Sequence, residues 1–431
     1  MLKPLLAALI LACSAPVASP PQPTSAASAT ESVPTSGAPS AEASATAASA
    51  IAHVLAGSAL WAVSFIDEQI GWVVAASYDG HGLVLGTSDG GKSWVALASL
   101  EIFPAGGRTQ LRFVDAHSGW LLTSVLLPGN VGGCAPPSTA PPQCRTVIFK
   151  TSDGGRSWHE QLSVEQPSKL GPGLRGLSAV DDHHAWAIRL APRGVACAPF
   201  NCNLEVVGTS DGERWESLAM LPAFSDQLDF VDQRTGWAAT YRTRDGLGQP
   251  DDTATVVATR DGGRTWTPQL SFDGPGPSMQ IDFTDQRSGW ALVATNDCIG
   301  TGCTGYSLFH TTDGGGSWMK LQGDGPAPTS WWSPRNNVSL LGGPHFASAL
   351  MGWIPILYDG SGTDAVLLTT DGGRTWARGG PATFNEVWDI HDLAASGQFA
   401  WIAGERIDDE MWFVARSDAR VVWSYELTVS R

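Results

Sequence analysis

Thr369-Thr370-Asp371-Gly372-Gly373-Arg374-Thr375-Trp376 decides the fold, because near-copies of it punctuate the whole chain. The pattern Ser/Thr-x-Asp-x-Gly-x-Ser/Thr-Trp also occupies residues 87–94, 151–158, 259–266 and 311–318. A shortened copy runs over 209–215, and an eroded one keeps only Arg416-Ser417-Asp418 and Trp423. Between them lies a second pattern, Phe-x-Asp-x-x-x-Gly-Trp. It begins at Phe65, Phe113, Phe230 and Phe283, with weaker copies ending at Trp186, Trp353 and Trp401.

Strict alternation of seven and seven means seven units averaging about 55 residues, a length typical of propeller blades. Each unit reads as four short strands. In the fourth, these are 227–231, 237–241, 253–258 and 265–270, so both patterns fall in hairpin turns. The expected fold is all-β: a single seven-bladed β-propeller of four-stranded antiparallel blades, which leaves only short sheet edges. In the turn pattern the Asp carboxylate is suited to accept backbone N–H bonds, the Gly residues to adopt positive φ, and the Trp to bury between neighbouring sheets. Asp89, Asp153, Asp211, Asp261, Asp313, Asp371 and Asp418 are therefore read as structural. Two ways of closing the ring stay open: residues 421–428 complete the last blade, or 51–55 clasp it.

Composition agrees. Of 431 residues, only 16% are charged, while Gly (49), Pro (28) and Trp (19) are frequent, which suits tight turns better than amphipathic helices. The net charge of −16 would repel a phosphate backbone, so nucleic acid is not an expected partner. A monomer without cofactor or metal is expected.

Lys3 followed by an apolar run over 5–12 reads as an export signal, too short for a permanent membrane span. Ile10-Leu11-Ala12-Cys13 resembles a bacterial lipobox, which implies lipidation of Cys13 after removal of the signal, with ordinary secretion as the alternative. Residues 14–50 are almost wholly Ala, Ser, Pro and Thr and read as a disordered tether; the folded domain is then 51–431.

The other six cysteines form three close pairs, Cys134 with Cys144, Cys197 with Cys202, and Cys298 with Cys303, each between strands two and three of its unit. Three local disulfides are expected, in an oxidising compartment; no Cys-x-x-Cys or neighbouring His suggests zinc. These loops share the face opposite the Asp turns with the blade connections. They brace a binding surface, or only resist proteolysis.

The Asp-turn pattern resembles the Asp-box (BNR) motif of sialidases, sortilin-type receptors and photosystem II assembly factors. Paired with Phe-x-Asp-x-x-x-Gly-Trp across 51–431, it is close to the repeat of the photosystem II assembly/stability factor family. That resemblance implies an exported propeller that holds a membrane-protein precursor. The cysteine loops and the acidic charge depart from the family.

Enzymatic signatures are sparse. Gly-x-Ser-x-Gly at 86–90 and 208–212 lies inside the repeats and is their by-product, not a hydrolase elbow. A sialidase needs an arginine triad and a Tyr–Glu pair, and no spacing here supplies an acid beside Tyr78, Tyr241, Tyr306 or Tyr358. Acidic turns at 359–364 and 408–410 lack calcium-loop spacing, and His183-His184 reads as surface histidine without partner ligands. Trp331, Trp332 and Arg335, outside the repeat on the loop face, are the candidate ligand contacts; they stack on a sugar or anchor a peptide, or else pack over a blade junction. The reading is a non-enzymatic extracytoplasmic scaffold, lipid-anchored to a bacterial membrane, that assists an envelope protein complex. The alternative is a glycan-binding or glycosidase-like protein.

Overall fold

The computed structural model describes residues 58–77, 80–102, 109–128, 144–165, 173–190, 204–242, 252–273, 278–295, 305–322, 338–340, 342–358, 363–379, 388–406, 410–417 and 423–430. Cys13, the tether, Trp331, Trp332, Arg335 and Asp418 lie outside them. So do five of the six loop cysteines, Cys134, Cys197, Cys202, Cys298 and Cys303, and with them the pairings of Cys197 with Cys202 and of Cys298 with Cys303. Cys144 opens a strand and is disulfide-bonded.

The described residues form seven antiparallel sheets and no helix. Blade 1 is β1 (Ser58–Phe65), β2 (Gly71–Ser77), β3 (His81–Thr87) and β4 (Val95–Glu101). Blade 2 is β5 (Gln110–Phe113), β6 (Gly119–Leu126), β7 (Cys144–Thr151) and β8 (His159–Glu165). Blade 3 is β9 (Leu174–Ala179), β10 (Ala185–Leu190), β11 (Leu204–Thr209) and β12 (Glu216–Met220). Blade 4 is β13 (Phe224–Phe230), β14 (Gly236–Arg242), β15 (Thr253–Thr259) and β16 (Thr267–Asp273). Blade 5 is β17 (Ser278–Phe283), β18 (Gly289–Thr295), β19 (Gly305–Thr311) and β20 (Met319–Gln322). Blade 6 has its first strand split into β21 (Val338–Leu340) and β22 (His345–Phe346), followed by β23 (Gly352–Tyr358), β24 (Thr363–Thr369) and β25 (Ala377–Gly379). Blade 7 is β26 (Trp388–Ser396), β27 (Phe399–Arg406), β28 (Met411–Ser417) and β29 (Trp423–Ser430).

Every sheet is built from strands consecutive in sequence, so the C-terminal strand β29 completes its own blade by pairing with β28. The first strands touch one another in a closed cycle and are therefore innermost. Second strands are almost fully buried, whereas fourth strands alternate exposed and half-buried. The fourth strand of blade 4 starts at Thr267 rather than 265, because Thr265 is held inside the preceding turn.

Those turns are built alike. In blade 2 the Asp153 carboxylate accepts the Thr151 hydroxyl (2.9 Å), the Arg156 and Ser157 amides (3.0 and 2.9 Å) and the Ser157 hydroxyl (2.6 Å). Gly154 and Gly155 have φ of 74° and 90°; a Cβ on Gly154 would lie 2.9 Å from the Ala116 carbonyl, so glycine is required there. The shortened copy in blade 3 keeps amide bonds from Glu213 and Arg214 to Asp211 but has no second hydroxyl.

The two tryptophans of each unit have different tasks. The Trp of Gly-Trp reaches forward to the next blade, and the Asp-turn Trp packs against the preceding one, as Trp94 does on Trp401 and Trp412 and Trp215 on Trp120. Trp72 stacks flat on Phe113 (3.5 Å, 3°) and donates from Nε1 to the Gly154 carbonyl (3.0 Å). The same stack joins Trp186 to Phe230, Trp237 to Phe283, Trp290 to Phe346 and, across the chain ends, Trp401 to Phe65. The Asp-turn Trp instead meets the Phe of its own blade edge-on, as Trp158 does Phe113 (5.9 Å, 87°). Each such aromatic pair contributes about 1 kcal/mol beyond area burial. No helix among the described residues is long and apolar enough to cross a membrane.

Candidate functional site

The innermost strands line the axis of the ring, and their polar residues converge there. Counting back one residue from the Phe position gives Ser64, Arg112, Ser178, Asp229, Asp282 and His345. Counting back three gives Gln110, Gln227, Gln280 and, from blade 7, Asp392. Strand alternation places both sets on one side of their sheets, towards the next blade.

Most of them tie adjacent inner strands together. Ser64 Oγ accepts the Phe113 amide (3.0 Å), Ser178 Oγ that of Phe230 (2.9 Å), Asp229 that of Phe283 (2.6 Å) and Asp282 that of Phe346 (2.7 Å). One level along the axis, Gln110 accepts the Leu177 amide (2.9 Å), and Gln227 both accepts from and donates to the Ile281 backbone. Asp392 accepts the Val63 amide (2.9 Å) and closes blade 7 onto blade 1. An inner strand has a free edge at the axis, so these side chains supply partners that a sheet neighbour would otherwise supply.

Arg112 differs. It belongs to blade 2, yet its charge bears on Asp229, Asp282, Asp392 and His345 of blades 4, 5, 7 and 6. No described carboxylate lies within salt-bridge reach of its guanidinium. These groups keep some accessible surface although they sit deep in the molecule, the signature of a narrow bore. Burial pushes the Asp229 carboxyl up to about 6, against the Phe283 amide and Arg112. Burial and the neighbouring Asp229 charge raise Asp282 well above the usual carboxylate range. Burial lifts Asp392 to about 6, and burial with Arg112 holds His345 down to about 3, hence neutral.

A second group sits at the blade 7/1 junction. β-bulges at Leu60/Ala62 and Ile390/Asp392 re-aim Trp61 and His391, whose rings stack at 4.7 Å. His391 Nδ1 lies 2.8 Å from the Leu60 carbonyl. Burial alone would lower its pKa, but the Asp389 carboxylate (3.8 Å) reverses that and raises it.

The structure places most of the residues weighed from the sequence. Asp89, Asp153, Asp211, Asp261, Asp313 and Asp371 all lie in turns whose hydrogen bonds depress their carboxyls, Asp153 and Asp313 to about 2. The two Gly-x-Ser-x-Gly stretches are strand-to-strand turns between β3 and β4 and between β11 and β12, without the helix an elbow needs. Tyr241 donates its hydroxyl to the Met279 carbonyl of the next blade, a structural tie. His183, read as lacking partner ligands, has Asp181 and Asp182 beside it, with ligand atoms within 4.8 Å of one another. Asp181, however, holds its turn through the His183 and His184 amides. Trp331, Trp332 and Arg335 lie outside the described residues.

The bore was missed at the sequence level. Its signal was the variable polar residue just before each Phe position, which Ala179 fills in blade 3, and the lone Arg among Ser, Asp and His there.

Comparison with known proteins supports the architecture and no more. No family model and no curated protein matches the chain. Among solved structures, YCF48 bound to a D1 peptide is 17% identical, with 81% of this chain and 92% of that one covered and a TM-score of 0.48. The β-propeller domain of the Trilobed protease from Pyrococcus furiosus, described as having an open velcro topology, is 10% identical over 86% and 97%, with a TM-score of 0.51. Prolyl oligopeptidase B from Galerina marginata is 9% identical with a TM-score of 0.53; the match covers 90% of this chain but 55% of that one. Identities this low define a seven-bladed β-propeller and leave chemistry open.

Proposed function

We propose that the protein is a non-enzymatic extracytoplasmic scaffold, anchored through a lipid on Cys13, whose loop face holds an envelope protein during assembly or use. One observation carries the non-enzymatic part. The three axial carboxylates, where a catalytic pair would be sought, each bind a backbone amide of the next blade. Serines perform the same task at equivalent positions, so the task is architectural. The test is in-cell crosslinking of the tagged protein followed by mass spectrometry of what co-purifies from membranes. A stoichiometric protein partner, lost on substitution of Trp331 and Trp332, supports the scaffold; recovery of polysaccharide alone defeats it.

A glycosidase-like reading has one observation in its favour: Asp229 and Asp282 are adjacent carboxyls with raised pKa values beside Arg112. It requires glycan hydrolysis that Asp229→Asn and Asp282→Asn abolish while the fold persists.

A further inference from the structure

We propose that the chain-end closure of the ring is a proton-operated latch: a charged His391, set against the Trp61 and Trp412 rings, holds the inner strand of blade 7 on that of blade 1 and lets go as it loses its proton. Topology makes this junction special. Every other pair of neighbouring blades is joined by the continuous chain, but blade 7 is the last and blade 1 the first, and β29 completes its own blade. Two adjacent residues of β26 grip β1. Asp392 accepts the Val63 amide (2.9 Å), and His391 Nδ1 meets the Leu60 carbonyl (2.8 Å).

Bulges in β1 and β26 leave Trp61 and His391 outside the pairing ladders, and their rings stack at 4.7 Å and 21°. Trp412 of β28 lies tilted against the same imidazole at 5.4 Å. A bond from Trp61 Nε1 to the Ala76 carbonyl (3.2 Å) pins the first indole. A carbonyl can only accept, so His391 Nδ1 carries a proton. Nε2, 3.8 Å from the Asp389 carboxylate, then decides the state of the ring. Unprotonated, it turns a lone pair towards a negative charge. Protonated, it makes an ion pair, and the positive ring lies against two indoles.

Among the described residues the charges beside His391 are Asp389 and Asp392 on its own strand and Glu405 opposite Asp389 on β27. Arg406 of β27 and Arg416 of β28 are turned over the Tyr425 and Phe399 rings (5.3 and 3.8 Å), and β1 and β2 carry no charged residue. Burial is the largest influence on His391 and would lower its pKa, yet Asp389, the Leu60 carbonyl and Glu405 together leave it raised above 6.5. The Asp389 carboxyl is lowered in return, first by its bond to His391. A folded pKa above the unfolded one contributes stability that is whole below pH 6.5 and is lost as pH rises through the folded value. Asp392, raised to about 6 by burial, has the same sign, so both grips on β1 hold protons in mild acid and weaken towards alkaline pH.

Indole emission of the full chain tests the charge, because an imidazolium in contact quenches an indole more than the neutral ring does. Emission should rise with pH at a midpoint above 6.5, in a step that shrinks in Trp61→Phe and vanishes in His391→Gln. A midpoint below 6.5, or a step that survives His391→Gln, overturns the proposal. Hydrogen exchange with fragment-level mass spectrometry then asks whether the charge holds the junction. The reference is β9, an inner strand held by the non-titrating Gln110. After correction for intrinsic exchange, raising the pH from 5.5 to 8 should speed the opening of β1 about fivefold more than that of β9. His391→Gln, which still donates to Leu60, should lose at least half of that difference. Equal changes in β1 and β9 would make the pH effect global, and an undiminished difference in His391→Gln would assign it to Asp392 alone. Either result overturns the latch.

Discussion

A carboxyl raised to about 6 makes stability depend on pH in a definite direction. Asp392 has an ordinary value of 3.8 unfolded and about 6 folded, through burial. The folded state then holds its proton more tightly, so the contribution is full below pH 4 and is lost as pH rises through 6. A shift of about two units corresponds to at most about 3 kcal/mol. The Asp turns work the other way. Asp153 and Asp313, lowered to about 2, stabilise the fold above pH 4 and lose that contribution as pH falls towards 2. Stability should accordingly peak near pH 4.5–5.5 rather than at neutrality. Asp392→Asn retains a side-chain oxygen for the Val63 amide but cannot titrate. Its urea midpoint should lose much of the decline that the parent shows between pH 5 and 7.5. An unchanged slope would assign the decline to the general charge of −16 instead.

At the scale of one turn, the hydrogen-bond inventory predicts unequal costs. Asp153→Ala breaks four bonds to a charged acceptor at a half-exposed site and should cost about 2 kcal/mol. Asp211→Ala, in the shortened turn with only three, should shift the midpoint distinctly less in the same denaturation assay. Comparable losses would mean that glycine geometry, not the carboxylate, sets the turn. These turns were legible in the sequence because Thr, Asp, Gly and Trp act within eight residues, so their spacing is kept in five of the seven copies. Burial of the Asp-turn Trp between neighbouring sheets was legible too, as Trp94, Trp215 and Trp423 show, whereas the flat stack made by the Trp of Gly-Trp was not, because both tryptophans follow a turn and only packing tells their tasks apart. The inner-strand clasps were illegible for a different reason. Ser64, Gln110, Asp229 and Asp392 need only an acceptor atom of suitable reach, and their partners lie about 50 residues or more away. No short pattern records such a requirement.

For the molecule as a whole, the axis is the place where distant blades feel one another, and Arg112 is the group that couples them. It offsets part of the burial that raises Asp229, Asp282 and Asp392, and it helps keep His345 neutral. Arg112→Met preserves the length of the stem and removes the charge. Each carboxyl should then titrate higher still, so more stability is lost as pH rises. The variant should be close to the parent at pH 5, where the carboxyls are largely protonated in both. At pH 7.5 it should be weaker by about 2 kcal/mol, because ionised acids at the axis then repel one another without compensation. Thermal or urea unfolding at the two pH values separates this from packing: an equal loss at both would mean that Arg112 matters only for the space its stem fills. A loss confined to high pH would mean that the bore is electrostatically one unit. The inner strands of blades 2, 4, 5 and 7 would then be held by a shared charge, and an occupant of the bore would have to answer to that balance before touching any single blade.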